Sequence, residues 1–244
     1  MKIAIVHIAD IHFMKNEPEG VSKILNAFFD DLTLQKQKLE EYSVFLGVTG
    51  DIVFSGNDSE SYKAIFDELN NKLNSIGITR DYRITVPGNH DLDREILKND
   101  LKEIRKNIEE ITTTEKKFND SYDKENSFNN KFENYECFES DFAKYGIDFN
   151  IAGKGHTINE EIGVFCLNTA LCSLGGINNI DDKKKLAIYS RGLVDWCRNT
   201  STKLNILLMH HSLNNLINWS ETELKQIIES NFILVLCGQK KRIN

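Results

Sequence analysis

The chain has 244 residues, which is long enough for one large domain built around a single core. Its 30 Lys and Arg residues against 37 Asp and Glu residues give a net charge of -7. This balance excludes a global basic surface for non-specific nucleic-acid binding, although a local basic groove remains compatible with it.

Cysteine usage and hydrophobicity indicate a cytoplasmic protein. The apolar run at the N-terminus reaches His7 and Asp10 too early for a signal sequence, and no stretch approaches the ~18 apolar residues of a membrane span. The cysteines form no Cys-x-x-Cys pair and mostly lie in apolar runs, so we expect them to be reduced. They are Cys137, Cys166, Cys172, Cys197 and Cys237. We therefore expect a soluble chain with no membrane partner.

Six short aliphatic or β-branched runs predict strands. None alternates cleanly with polar residues, which favours strands that are buried on both faces. The runs are residues 2–9, 43–49, 82–86, 162–168, 204–209 and 232–237.

Segments with helical periodicity separate these strands. One apolar stripe covers residues 21–32, and a second covers residues 62–73. Near the end of the chain, Ser220 and Glu223 have the spacing of a capping box, which predicts a helix over residues 220–229. The alternation of strands and helices predicts an α/β fold.

The stretch from about 93 to 146 differs from its surroundings. It is rich in Lys, Glu, Asn and Asp, with aromatic residues spaced through it, whereas a disordered segment would have fewer aromatics. We therefore predict a helical insertion, or cap, that packs over a core formed by residues 1–92 and 147–244.

Polar residues suited to metal binding follow the first two predicted strands. Asp10-x-His12 follows the first strand. If that strand continues, residues i and i+2 point to the same face, so a carboxylate and an imidazole converge. Gly50-Asp51 follows the second strand. Either block alone also fits a polar loop.

Two further blocks follow later strands. Residues 88–91, Gly-Asn-His-Asp, form the more specific block, because glycine permits a tight turn and three polar side chains crowd together. His210 and His211 follow the fifth strand, where a lone histidine would more often be a loop or core residue. All four blocks lie at the carboxyl ends of strands, the edge at which open α/β sheets bind ligands. That coincidence favours a functional site.

The ligand types in these blocks predict a metal centre. Carboxylate, amide and imidazole groups together suit Mn²⁺, Fe or Zn²⁺ better than an ion that prefers thiolates. Such a set can hold two ions ~3.5–4 Å apart, lower the pKa of a bridging water towards ~7 and clamp a phosphoryl group. The pattern thus indicates hydrolysis of a phosphoester bond by metal-bound hydroxide.

In order and strand context, the blocks resemble the calcineurin-like metallophosphoesterase family, whose pattern is Asp-x-His, Gly-Asp, Gly-Asn-His-Asp/Glu, a lone His and a final Gly-His-x-His. The resemblance implies a four-layer α/β/β/α sandwich with two central mixed sheets and two divalent ions, of which we favour Mn²⁺. By this resemblance, Asp10 and His12 bind the first ion, and Asp51 bridges the two. Asn89 and His210 bind the second.

The same resemblance implies catalytic roles for two neighbouring residues. His90 would stabilise the transition state or protonate the leaving oxygen, and Asp91 would hold its ring in orientation. His211 remains the alternative to His210 as a ligand.

The last motif of the family is altered in this chain. After the final strand, Gln239 and Lys241 stand where the family has two histidines. Gln239 keeps an amide oxygen as a weak ligand, whereas the Lys241 ammonium has no lone pair and would bring positive charge to the first ion. The chain also ends at Asn244, before the strands that complete the second sheet in the family, so we expect a truncated C-terminal end.

Three explanations of this altered end remain open. The chain is a piece of a longer protein, with a missing C-terminal region or partner chain; or it holds one strong metal site, with a single ion; or it binds a phosphorylated partner without hydrolysing it. We accordingly predict metal-dependent hydrolysis of a phosphomonoester or phosphodiester, with a weakly active or inactive regulatory module and a nuclease as alternatives. The expected substrates are phosphorylated small molecules, nucleotides or nucleic acids. We expect the insertion and the loop at 173–178 to select among them.

Overall fold

The computed structural model describes residues 2–98, 101–124, 130–175 and 182–239. Seven strands and eight α-helices lie in these residues. The strands are β1 (Lys2–Ile8), β2 (Tyr42–Thr49), β3 (Arg83–Val86), β4 (Gly153–Thr157), β5 (Ile162–Leu167), β6 (Leu204–His211) and β7 (Leu234–Gln239). The helices are α1 (Pro18–Lys38), α2 (Ser59–Ser75), α3 (Arg94–Lys98), α4 (Leu101–Ile111), α5 (Glu115–Lys124), α6 (Glu133–Phe142), α7 (Arg191–Asn199) and α8 (Asn218–Asn231).

The strands form two sheets. The first has the order β1-β2-β3 and is parallel throughout, with Ile5 opposite Phe45 and Leu46 opposite Arg83. The second has the order β4-β5-β6-β7, in which β4 is antiparallel to β5 and the other pairs are parallel. Of the two mixed sheets that the family resemblance implies, only the second is mixed in the described residues. The parallel pairing brings the carboxyl ends of β1, β2 and β3 to one edge.

Alternate residues of β5 and β6 face two different cores. Val164 and Leu208 belong to a first core cluster, together with residues of the first sheet and of α1, α2 and α6. Phe165 and Leu207 belong to a second cluster, together with residues of α5, α7 and α8. Because neighbouring residues of a strand point to opposite faces, the second sheet is buried between the first sheet and a helical layer. The architecture is the two-sheet α/β fold expected from the sequence.

All six predicted strands are present, and their ends lie within two residues of the expected positions. The burial of β1 differs from expectation, since Ile3 to Val6 are only half-buried. This strand has one neighbour and forms an edge of the first sheet. Strand β4 was not predicted, because its sequence, Gly-Lys-Gly-His-Thr, has no apolar run.

Helices α1 and α2 contain the two predicted apolar stripes, and both bury residues in the first core cluster. The capping box, in contrast, was a wrong prediction, because α8 begins at Asn218. The Ser220 hydroxyl instead accepts a hydrogen bond from the backbone N–H of Ile188 at 3.1 Å. Glu223 accepts one from the hydroxyl of Ser190 at 2.6 Å. Both side chains therefore bind the segment before α7 rather than the end of their own helix.

Four helices, α3 to α6, lie in the described part of the stretch from 93 to 146. The last of these packs against α2, with the Phe138 ring 5.6 Å from that of Tyr62. Tyr135 and Phe142 are fully buried in the first core cluster. The end of this stretch therefore contributes to the main core, and the division of the chain into a core and a separate cap remains a prediction. None of the described helices combines the length and the apolarity needed to cross a membrane.

Candidate metal centre

The polar residues that follow β1 and β2 are joined through their backbones. The N–H of Asp10 donates to the carbonyl of Gly50 at 3.1 Å, and the N–H of His12 donates to the carbonyl of Asp51 at 2.9 Å. The two loops therefore run side by side beyond the ends of their strands, and they bring their polar side chains to the same edge of the sheet.

The Asp51 carboxylate lies at the centre of this edge and is 2% exposed. Its Oδ1 accepts a hydrogen bond from the His90 backbone N–H at 2.8 Å. Its Oδ2 lies 3.7 Å from Nε2 of His12 and 3.4 Å from Nε2 of His210. Two groups of ligand-type side chains share Asp51, and the candidate ligand atoms in each group lie within 4.8 Å of one another. The groups are His12, Asp51 and His90, and Asp10, Asp51 and His210.

The spacing of these atoms fits a divalent cation. Nε2 of His12 lies 4.0 Å from Oδ1 of Asp10, and like the 3.7 Å separation from Asp51 this is too long for a hydrogen bond. Two ligands that bind one ion at about 2.0–2.2 Å lie about 3–4.4 Å apart, depending on the angle between them at the ion. Nδ1 of His12 is also buried without a hydrogen-bond partner in the described residues. Carboxylates combined with imidazoles suit Mn²⁺, Fe or Zn²⁺, so the residues present fit such an ion.

The structure brings His210 to the centre and turns His211 away from it. Nδ1 of His210 lies 2.7 Å from the Thr49 carbonyl, an acceptor, so Nδ1 carries the proton and Nε2 faces Asp51. Nε2 is also 3.1 Å from Oδ1 of Asn89. His211 is fully buried, and its Nδ1 lies 3.1 Å from the hydroxyl of Thr169. The position of His210 therefore favours it over His211 as a ligand.

Burial and neighbouring charges shift the pKa values of the residues in this centre in opposite directions. Burial raises the pKa of Asp10. Burial also opposes the charge of Asp51, but His210 and a hydrogen bond from His90 hold the pKa of Asp51 below its ordinary value. Burial opposes the charge of His210, yet Asp51 and the Thr49 carbonyl raise the pKa of His210 to about 9. Without metal the pair is ionised, and a cation that binds Nε2 of His210 must displace its proton.

Within the described residues, the Asp91 carboxylate forms no hydrogen bond with the ring of His90, contrary to the orienting role expected from the sequence. Its carboxylate is fully buried beneath the loop that carries Asp51. One oxygen accepts hydrogen bonds from the backbone N–H groups of Gly88 at 2.9 Å and Asp51 at 2.7 Å. The other accepts from the N–H groups of Ile52 at 3.0 Å and Val53 at 3.4 Å, and from the Tyr62 hydroxyl at 3.0 Å. Asp91 therefore supports the backbone of the centre.

The ring of His90 is held by other residues. Its Nδ1 lies 2.9 Å from the carbonyl of Phe54 and 2.6 Å from Nη2 of Arg94. The rings of His90 and His12 cross edge to face, with centroids 4.5 Å apart. Burial lowers the pKa of His90, and the Asp51 carboxylate opposes that change. Because the ring is also part of one ligand group, its catalytic role remains a prediction.

Three residues of the centre have a left-handed backbone conformation. The φ angles are 55° for Asp10, 50° for His12 and 55° for Asp51. Non-glycine residues adopt this region rarely, and such strain is concentrated at functional sites. The convergence of Asp10 and His12 therefore comes from a loop, since β1 ends at Ile8, and not from the continued strand expected from the sequence.

The end of β7 reaches the same edge. A side chain at Gly238 would overlap the carbonyl of Thr49 and Nδ1 of His210, so only glycine fits there. The backbone of Gln239 pairs in register with His211. The backbone of Gln239 therefore lies next to this edge, and Lys241 lies outside the described residues.

Sequence analysis missed Thr49, whose carbonyl orients His210, and Arg94, which contacts His90. The Thr49 contact is made by backbone and has no side-chain signal. Arg94 had a weak signal, an arginine three residues after the most specific motif block.

Comparison with known proteins shows which family the chain resembles. The model of a family described as calcineurin-like phosphoesterase matches residues 3–238, which is nearly the whole chain. No curated protein matches the chain.

Proposed function

Because the chain belongs to the calcineurin-like phosphoesterase family, we propose that its candidate metal centre hydrolyses phosphoester bonds with the help of divalent cations. The observation that carries the proposal is the position of Asp51, whose carboxylate is shared by two groups of ligand-type atoms. A pair of cations that clamps a phosphoryl group needs a ligand in this position. We favour Mn²⁺, since carboxylate and amide oxygens surround the imidazoles.

In the proposed centre, Asp10 and His12 would hold one cation, Asn89 and His210 would hold the other, and Asp51 would be a ligand shared by both. The bound cations supply the charge that makes an attacking water acidic and that neutralises the phosphoryl oxygens. The side chains of the protein hold that charge at a fixed place. The 3.1 Å separation between the Asn89 oxygen and Nε2 of His210 supports their assignment to one ion.

We propose that His90 protonates the leaving group. Its backbone N–H is fixed to Asp51, and its Nδ1 lies 2.9 Å from the Phe54 carbonyl, so Nε2 is the nitrogen that remains for substrate. In this role His90 acts as an imidazolium, which keeps its Nδ1 proton on the Phe54 carbonyl and passes its Nε2 proton to the leaving oxygen as the bond from that oxygen to phosphorus breaks. In a His90→Asn variant, we expect turnover to fall while the metal content is retained. Loss of one metal equivalent together with activity would instead make His90 a ligand.

The proposal is tested with protein that has been stripped by a chelator and reloaded with Mn²⁺. Turnover of a chromogenic phosphomonoester and of a chromogenic phosphodiester is compared for the native chain and for Asp51→Asn. We expect the substitution to reduce turnover by about 100-fold or more, since even the outer partners of metal ligands change affinity or activity by about 10–100-fold. Asp195→Asn, on the exposed side of α7, is the matched control and should behave as the native chain does. Equal rates in native and Asp51→Asn protein would refute the proposal.

A phosphoryl-binding module without turnover is the second candidate, and the replacement of the last two family histidines by Gln239 and Lys241 favours it. The metal content per chain separates the two candidates. Two tightly bound equivalents argue for the hydrolase, and one or none argues for the module. A nuclease is a narrower form of the first candidate, and it requires binding of DNA or RNA that weakens as salt increases.

A further inference from the structure

Arg94, the first residue of α3, lies beside the candidate metal centre. Its Nη2 is 2.6 Å from Nδ1 of His90, and its guanidinium carbon is 5.7 Å from the centre of the Phe54 ring. The Phe54 side of this contact is open, since Phe54 is 46% exposed and its ring lies 5.5 Å from that of His90. Attraction to the aromatic face orients a guanidinium group at this distance. A positive charge is therefore held at the rim of the centre.

Arg94 has donors that no described residue satisfies. Its Nε is buried without a hydrogen-bond partner. Within the described residues, no carboxylate forms an ion pair with it. A guanidinium group has five N–H donors in a planar fork that matches two oxygens of a phosphoryl group. An arginine that is partly desolvated and forms no close ion pair with a described carboxylate is suited to an anionic ligand.

The contact between Arg94 and His90 can be released without loss of support for the ring. Nδ1 of His90 is also 2.9 Å from the Phe54 carbonyl. One nitrogen cannot donate to that carbonyl and accept from Arg94 at the same time. When Nδ1 carries the proton, Phe54 holds the ring, and the guanidinium is free to bind another acceptor.

We infer that Arg94 binds a phosphoryl oxygen of the substrate and makes the site select phosphomonoesters over phosphodiesters. This inference rests on the proposed function. A monoester has three oxygens that carry no ester group, whereas a diester has two. If each of two cations engages one such oxygen, only a monoester offers a third for Arg94. The larger negative charge of the monoester adds to the preference.

The experiment compares the native protein, Arg94→Met and Arg94→Lys after loading with Mn²⁺. Methionine keeps the approximate length of the side chain and removes its charge, and lysine keeps the charge without the fork. Binding of inorganic phosphate is measured by calorimetry, and KM and kcat are measured on a chromogenic monoester and a chromogenic diester. Arg198→Met, in the last turn of α7 and exposed, is the matched control.

We expect Arg94→Met to weaken phosphate binding by about tenfold or more, which is the size of a lost charge-assisted hydrogen bond. KM for the monoester should rise by a similar factor, and KM for the diester should change by less than about threefold. Arg94→Lys should be intermediate, and Arg198→Met should match the native protein. If Arg94→Met does not fold, Arg94→Lys carries the same comparison.

The inference is overturned if folded Arg94→Met binds phosphate as the native chain does, or if its KM rises by the same factor for the monoester and the diester. Absence of turnover in the native protein is a different result, because it refutes the proposed function. The phosphate titration still tests Arg94 in that case.

Discussion

Replacement of Asp91 by asparagine separates the two roles that this residue has been given. As an orienting partner of His90, Asp91 would affect turnover and leave stability unchanged. As the support of the loop that carries Asp51, it must affect stability first. The structure favours the second role, because four backbone N–H groups donate to its buried carboxylate.

The magnitude follows from these contacts. An asparagine has one acceptor oxygen, so its NH₂ group must replace one carboxylate oxygen. If it replaces the oxygen that faces Gly88 and the backbone of Asp51, two N–H donors lose their acceptor. On the other side, the N–H of Ile52 and the more distant N–H of Val53, at 3.4 Å, lose their acceptor, but the Tyr62 hydroxyl, 3.0 Å away, can rotate to accept from the amide. The second orientation is the less costly one. Loss of the charge and of one buried acceptor then costs about 2–4 kcal/mol.

Urea denaturation of metal-free protein measures this loss directly. With a slope of about 1–3 kcal/mol per molar, the midpoint should fall by roughly 1 M or more while the slope stays the same. Asp195→Asn is the control and should stay within about 0.5 kcal/mol of the native chain, since its side chain is exposed. A variant at position 91 with native stability and reduced turnover would contradict the assignment and restore the orienting role.

Three other substitutions have expected outcomes. Burial raises the pKa of Glu139 from its ordinary 4.5 to about 8. The folded state therefore binds this proton more tightly than the unfolded state, and the resulting stabilisation is fully present below pH 4.5 and is lost as the pH rises to 8. In Glu139→Gln, the urea midpoint should therefore depend less on pH over that interval. A pH dependence equal to that of the native chain would contradict the raised pKa of a buried Glu139. His210→Ala should lower the affinity for Mn²⁺ by about tenfold or more while His211→Ala retains it, as measured by metal titration; equal losses would disprove the choice between them. Gly88→Ala should lower the free energy of unfolding by about 1–3 kcal/mol, because its Cβ overlaps a neighbouring carboxylate. Gly20→Ala, whose Cβ has no neighbour within 4 Å, should be neutral or stabilising, and equal losses at both glycines would count against the steric explanation.

The strands were predictable because a strand that is buried on both faces consists mostly of apolar residues. Strands β2, β3, β5 and β6 consist mostly of aliphatic, aromatic or β-branched residues, and most of these residues are buried. The exceptions have physical causes. β6 extends through His210 and His211, two residues past the apolar run, and there the Nδ1 atoms of the two imidazoles contact Thr49 and Thr169. β4 exists only through its pairing with β5, and its own residues carry no periodic signal.

The ends of helices were less predictable, because side chains that can cap a helix also serve distant contacts. Ser220 and Glu223 have the spacing of a capping box, yet both bind the segment that precedes α7. The sequence alone cannot state which of these partners wins, since the choice depends on where another segment of backbone lies. Helix α7 itself was not predicted.

For the candidate centre, too, the sequence predicted where the residues lie better than it predicted what each of them does. Its location could be predicted, since parallel strands bring their carboxyl ends to one edge and the polar blocks follow those ends. Roles within it could not, because they depend on backbone direction at tight turns. Asp91 follows His90 in sequence, yet its carboxylate points into the protein and binds the loop of Asp51. That loop has a left-handed residue at its centre, with φ of 55° at Asp51. A strained conformation persists only where neighbouring groups hold it. We therefore expect stability and metal affinity to change together when Asp91 is altered.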